Sequence, residues 1–306
     1  MPPSSQYDYL IHAMLGLAAS HLTLYGCNYS SHAILHRVKA IKSLNESLSR
    51  PCSSAAEGDA RFAAIMALAF QASCMADGMA EFMSMVRGCH VIANSAMPAF
   101  GRSLFSSFTT EGYSDSIRRL IQRVEIDRDS ITGGLVNESL TSLRALAPFC
   151  SSTLEISFLA STERITKLAQ FEPIEGRYPS IHSAQPAKPL DGLNLTLSAA
   201  FAQFSEHYDL LNRTSHEDFA PFADPNNFPT QLLLIHFFVI EYAIGEVALG
   251  PLGWRFGFRK RTPMAWISRL EKHLPERYRP HLAWPLKYLD ALRPRNPDST
   301  RTAAES

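Results

Sequence analysis

The sequence predicts an all-α protein, a multi-helix bundle of roughly ten helices. Apolar residues recur at spacings of three and four through most of the chain, as one face of a helix requires. No stretch alternates apolar and polar residues in the manner of a half-buried strand, and there is neither a hairpin signal nor an internal repeat. At 306 residues, 46% hydrophobic and 19% charged, the chain has the composition of a globular protein with a proper core. One domain over 1–306, with its core over about 7–292, is the expected organisation.

The first helix is marked by Ile11, Leu15, Ala18 and Leu22, with Leu10, Met14 and Leu17 beside that stripe. After the short break YGCN, a second helix runs from about Tyr29 to Leu48, with Ile34, Val38, Ile41 and Leu44 expected to face the core. So short a connection favours antiparallel neighbours. RPCSSAAEG reads as a turn, followed by one long Ala/Met/Phe-rich helix over about Asp59–Val86, with Asp59 as its cap. Further stripes are Ile117, Leu120, Ile121 and Val124; Leu140, Leu143 and Leu146; Ile165 and Leu168; and Leu197, Phe201, Phe204, Tyr208 and Leu211. The proline-rich stretch 172–192 is expected to be an exposed loop, and 215–229 an irregular connection. LLLIHFFVIEYAIGEVAL (232–249) has the length of a membrane span. His236, Glu241 and Glu246 would be expensive in a bilayer, so a helix buried in a protein core is expected and no membrane span.

The formal net charge is zero, but it is unevenly spread. Residues 254–301 hold twelve Lys and Arg against Glu271, Glu276, Asp290 and Asp298, a local net of +8. That segment suits an acidic partner or a phosphate backbone or, more simply, the solvated faces of amphipathic helices. The five cysteines are odd in number, widely spaced and without a Cys-x-x-Cys pair, which suits reduced thiols better than a disulfide framework. Before Arg37 there is no Lys or Arg, Asp8 lies just upstream of what would be a leader's apolar core, and His12 interrupts it. An export signal is therefore not expected, although Asn28, Asn45, Asn137, Asn194 and Asn212 each open a glycosylation triplet.

Catalytic motifs of the familiar kinds do not occur: no Gly-x-Ser-x-Gly elbow, no phosphate loop and no dinucleotide fingerprint. Asp127 and Asp129 lack the spacing and the second acidic cluster that magnesium-diphosphate chemistry needs. His32 and His36 share a helix face without a neighbouring Glu or a third ligand, and His12 and His21 stand on opposite sides of theirs. His236 reads as a hydrogen-bonded core histidine. No catalytic residue, metal site or cofactor is assigned. The methionines and phenylalanines of the third helix make a soft apolar surface. The candidate ligand pocket is Met66, Phe70, Phe238 and Trp254, suited to a small apolar molecule.

Together, YLIHAMLGLAASHL, YSSHAILHRVKAIKSLNESL and the helix closing with FMSMVRGCHVI resemble the C-terminal regulatory domain of fungal zinc-cluster transcription factors, the sterol-uptake regulators above all. The Gly-Trp at 253–254, the amphipathic helix after it and the Trp-Pro at 284–285 fit the same pattern, which covers most of 7–292 and is weakest over 100–190. The resemblance implies a nuclear domain, or one shuttling with the cytoplasm. Such a domain controls transcription, senses a sterol-like apolar ligand, and works through a transcription factor, a coactivator or a second copy of itself. The family's six-cysteine zinc module is not found in this sequence, so direct DNA binding by this chain is not expected. The competing expectation is an all-α enzyme on an apolar substrate, which would require His236, Glu241 and Glu246 to converge. Glu241 and His236 are five residues apart and so face about 140° away from one another.

Overall fold

In the computed structural model of the chain, residues 7–95, 103–109, 112, 115, 132–168, 200, 203–204, 206–249 and 258–291 are described. Helices α1 (Asp8–Leu24) and α2 (Ser30–Leu48) form an antiparallel hairpin, with His12 beside His36 and Gly16 beside Ala33. The turn between them passes through Gly26 at φ 85°, the left-handed region that favours glycine at a helix end. Arg61 closes the far end of α2. Its guanidinium donates to the Ser47 and Arg50 carbonyls and pairs with Glu57, placing a cation at the negative end of the helix.

Helix α3 spans Ala55–Ser73, and its cap is Ser54 rather than Asp59. Ser54 Oγ accepts from the Glu57 amide while the Glu57 carboxylate accepts from the Ser53 amide, so orphan donors at the helix start are satisfied reciprocally. Burial pushes the Glu57 carboxyl up. Bonds from Ser53 and Arg50 and the charge of Arg61 outweigh that and hold it at about 2. Asp59 instead reaches sideways, accepting from Ser103 and the Leu104 amide. It thereby pins a 3-10 turn, Ser106–Phe108, whose flanking Phe105 lies against Phe62 with Phe108.

The long helix expected over 59–86 is two helices. The chain turns at 74–78 and resumes as α4 (Met79–Ser95). Asp77-Gly78 is a turn dipeptide, and a Cβ on Gly78 would be driven into the Ala72 carbonyl. Trp266 and Thr262 donate to the Met75 and Ser73 carbonyls, so the break is held from outside as well.

Beyond it come α5 (Thr132–Arg144), α6 (Thr153–Leu168), a helical stretch over 206–213, α7 (His216–Phe222), α8 (Phe228–Leu249), α9 (Phe258–His273) and α10 (Ala283–Ala291). Two further 3-10 turns, Ala147–Phe149 and Glu276–Leu282, complete an all-α architecture with no strand among the described residues. The expected irregular connection 215–229 thus contains a helix. Ser215 caps α7, accepting from the Asp218 amide, and Phe219 and Phe222 go into the core. A proline inside so short a helix, Pro221, had masked its period.

The buried side chains form two clusters. The larger surrounds α8, whose Leu232 to Ile240 are almost all buried, and takes in α5, α6, α9 and α10. The smaller lies between α1, α2 and α3. Helix α4 contributes Met79 and Met83 to the first and Ile92 and Ala93 to the second, so one helix joins both. Arg87 of α4 also donates to the Leu211 and Thr214 carbonyls and lies over the Phe219 ring. By length and composition Phe228–Gly245 could cross a membrane, but 72% of that window is buried inside the protein. Expectations that fall on 117–124, 127–129 and 172–192 lie outside the described residues.

Substituting Gly78→Ala is expected to cost roughly 2–3 kcal/mol, because backbone and not a flexible side chain must move. Urea denaturation measures it, and an unchanged midpoint would contradict the close approach.

Candidate functional site: an outward-facing hairpin and a histidine-bearing core

The hairpin meets α3 through small residues. Ala13, Gly16 and Ala19 of α1 are buried, as are Ala33 and Ala40 of α2, and the cluster beneath them is rich in alanine. Two buried polar side chains hold this junction. The Gln71 amide nitrogen donates to the Ala33 carbonyl at 3.0 Å and to Ser20 at 3.1 Å. The guanidinium of Arg37 donates to the Gln71 oxygen and the Leu68 carbonyl, both at 3.2 Å, and pairs with Glu81 of α4 at 2.7 Å. One amide therefore touches all three helices, and a Cβ on Gly16 would stand 3.1 Å from it.

The consequence is an inversion of the expected faces. Ile11, Leu15 and Leu22, expected to mark a core stripe, are exposed, and Met14 beside them is 59% exposed. On α2, Ile34 and Val38 are 61% and 60% exposed, whereas Leu44 is buried and Ile41 half-buried. The physical reason is the node just described. Orienting Arg37, Gln71 and the alanines inward turns Ile11, Met14, Leu15 and Leu22 of α1 and Ile34 and Val38 of α2 out, while Leu10, Leu17 and Ile41 stay packed against the smaller cluster and Leu44 is buried in it. Eleven of the fifteen exposed large apolar residues among those described lie between Ile11 and Leu48. Such a concentration exceeds the scattered apolar exposure of an ordinary surface.

Across the hairpin, His12 and His36 place their Nδ1 atoms 3.0 Å apart, one donating and one accepting. Burial, with the charges of His12, Lys39 and His32, moves His36 below the usual imidazole range. His32 is exposed and meets the Tyr29 ring edge-on. His36 thus finds its imidazole partner in His12 of α1 rather than in His32, which shares its helix face.

Two further histidines are fully buried. His236 is a hydrogen-bonded core residue, as expected. Its Nδ1 lies 2.8 Å from the Leu232 carbonyl, its Nε2 2.8 Å from Ser142 Oγ, and its ring stacks on Trp284. The carbonyl can only accept, so Nδ1 carries the proton and Nε2 accepts from the Ser142 hydroxyl. This has the outline of a nucleophile-and-base pair. Ser142, however, lies in the last turn of α5, where the carbonyl end of the helix would repel a developing oxyanion. The bond fits best as a structural one. Glu241 is half-buried on α8, and the Glu246 side chain lies outside the described residues.

His207 stacks on Phe237 at 4.2 Å and meets Phe158 edge-on, and among the described residues neither ring nitrogen has a hydrogen-bond partner. Burial lowers it to about 3, and burial likewise lowers His236, to about 4. Sequence reasoning did not single out His207, although its place between Phe204 and Leu211 in the amphipathic stripe set it on a core-facing arc.

Of the candidate pocket residues, Phe238 packs in the large cluster against Phe82 and Trp266. Met66 is packed against the smaller cluster, and Phe70 is half-buried on α3. Trp254 lies outside the described residues. The structure brings Phe238 together with Trp266 and sets Met66 against a different core. The five cysteines are free thiols, and burial raises Cys89 to about 12 and Cys150 to about 11, which keeps both protonated. Among the described residues no group of three or more His, Cys, Asp or Glu could hold a metal ion. Compared with protein-family models, curated proteins and solved structures, the chain matches none of them.

Two outcomes follow from the buried imidazoles. Replacing His207→Leu removes polar atoms that have no partner and is expected to raise unfolding stability by about 1–2 kcal/mol at pH 7. A loss in urea denaturation would mean that the ring has a partner. Second, His36, His90, His207, His236 and His281 are all lowered from the ordinary imidazole value. The unfolded chain therefore binds more protons below about pH 6.5. The contribution of these groups is full above that pH. It is lost as pH falls toward about 4, at up to about 1.4 kcal/mol per pH unit for each group still neutral in the fold. Thermal melts between pH 8 and 4 measure this, and a flat or rising profile on acidification would contradict it.

Proposed function

We propose that the chain is a helical transcription-regulatory domain that acts through protein partners, and that it works in the nucleus or shuttles to it. The observation that carries this reading is the outward apolar hairpin. Large apolar side chains on two rigid helices, backed by a buried polar node, are a protein-docking surface before they are anything else. The sequence resemblance to zinc-cluster regulators supplies the regulatory context, and two of the segments that carry it form the hairpin. Sensing of a small apolar, sterol-like ligand belongs to the same reading.

The test is to tether the chain to a heterologous DNA-binding module beside a reporter gene. Reporter output should change severalfold, and Ile34→Glu with Val38→Glu should abolish the change while leaving the helical circular-dichroism spectrum intact. No change in either direction from the parent chain would overturn the reading.

A further inference from the structure

The exposed stripe of α1 has an internal symmetry. Ile11, Met14, Leu15, Ala18, Leu22 and Tyr25 fall within about 100° of one another around the helix, opposite the buried Tyr9, Ala13 and Gly16. Their spacing follows the three-four alternation of a helix-pairing seam. The stripe is also nearly palindromic about Ala18. If α1 meets an antiparallel α1 with the two-fold axis at Ala18, Met14 faces Leu22, Leu15 faces His21 and Ile11 faces Tyr25 of the other copy. The smallest side chain sits at the crossing, where two helix backbones must come closest.

Charge and area agree with this pairing. Asp8 is the one Asp, Glu, Lys or Arg in the whole of α1, and it stands at the end of the helix, so self-pairing brings no like charges together. A partner of strong charge would find nothing on this face to answer it. At on the order of 100 Å² for each exposed side chain, the stripe offers about 500 Å² per copy. A pair would bury about 1,000 Å², the threshold of a specific interface.

We propose that this face docks a second copy of the same chain, forming an antiparallel α1–α1 dimer of micromolar affinity centred on Ala18. The proposal rests on the reading of the hairpin as a protein-docking surface and names the partner of its α1 side.

Sedimentation velocity of the full chain from about 1 to 100 µM tests it. The parent chain should pass from monomer to dimer over that range. Leu22→Glu and Met14→Lys, both at exposed positions, should each leave a folded monomer by circular dichroism. The two substitutions combined should restore the dimer, because positions 14 and 22 face each other only in this antiparallel register. A parent chain monomeric throughout, single variants that still dimerise, or a combined variant that stays monomeric would each overturn the proposal. The tethered reporter separates it from the reading beneath. A monomeric chain that still changes the reporter removes self-pairing alone, and a dimer with a silent reporter removes the regulatory reading alone.

Discussion

Everything about the N-terminal third depends on one buried amide. Gln71 sits where α1, α2 and α3 converge, donating to Ser20 and the Ala33 carbonyl and accepting from Arg37. A buried amide or guanidinium left unpaired would cost several kcal/mol, so the three helices can pack only in the register that satisfies both. Gly16 makes room for it, since any side chain there would press on the Gln71 amide. Arg37 extends the node to α4 through Glu81, and α4 in turn holds the larger core through Met79, Met83 and Arg87. Polar specificity at one junction thus sets the orientation of a hairpin and, through it, what the protein shows to solvent.

What it shows is apolar. An amphipathic helix ordinarily buries its large side chains, whereas α1 and α2 bury mainly alanine and glycine and leave Ile11, Met14, Leu15, Leu22, Ile34 and Val38 exposed. That arrangement gives up hydrophobic burial within the chain and is reasonable where the same surface is buried against another protein. The larger core has no such reversal. Residues 232–240 of α8 are buried, the buried His236 is satisfied by Ser142 and its own helix, and Glu155 ties α6 to α8 through Thr230. Burial raises that carboxyl, but bonds from Ser152, Asn227, Ser151 and Thr230 lower it further, so it stays ionised. A well-packed core thus stands beside a hairpin whose exposed face is rich in large apolar side chains.

Much of the fold was legible in the residues, because helical period is a local signal. The α1, α2, α5, α6 and α8 segments and the core placement of Leu140, Leu143, Phe204 and Leu211 all followed from spacing alone. The break at 74–78 was written in Asp77-Gly78 but hidden by a continuous apolar background. Helix α7 was hidden by Pro221. The faces of α1 and α2 were misread for a deeper reason. Hydrophobicity ranks Ile11 and Leu15 above Ala13 and Gly16, yet the spacing Ala13, Gly16, Ala19 is that of a close helix contact, and Arg37 and Gln71 needed each other. Non-local polar pairing carries no period, so His12 with His36 and the orphaned ring of His207 could not have been read from the chain.

The most direct measurement is thiol accessibility at four engineered positions. Cys27 is exposed and gives an internal reference rate. In dilute protein, Leu15→Cys and Val38→Cys should react with a soluble thiol reagent at about the rate of Cys27, while Ala13→Cys and Ala40→Cys should react only on unfolding. If instead positions 15 and 38 are protected and positions 13 and 40 react freely, the hairpin packs with its large apolar faces inward. The docking surface, and the function argued from it, would then be wrong.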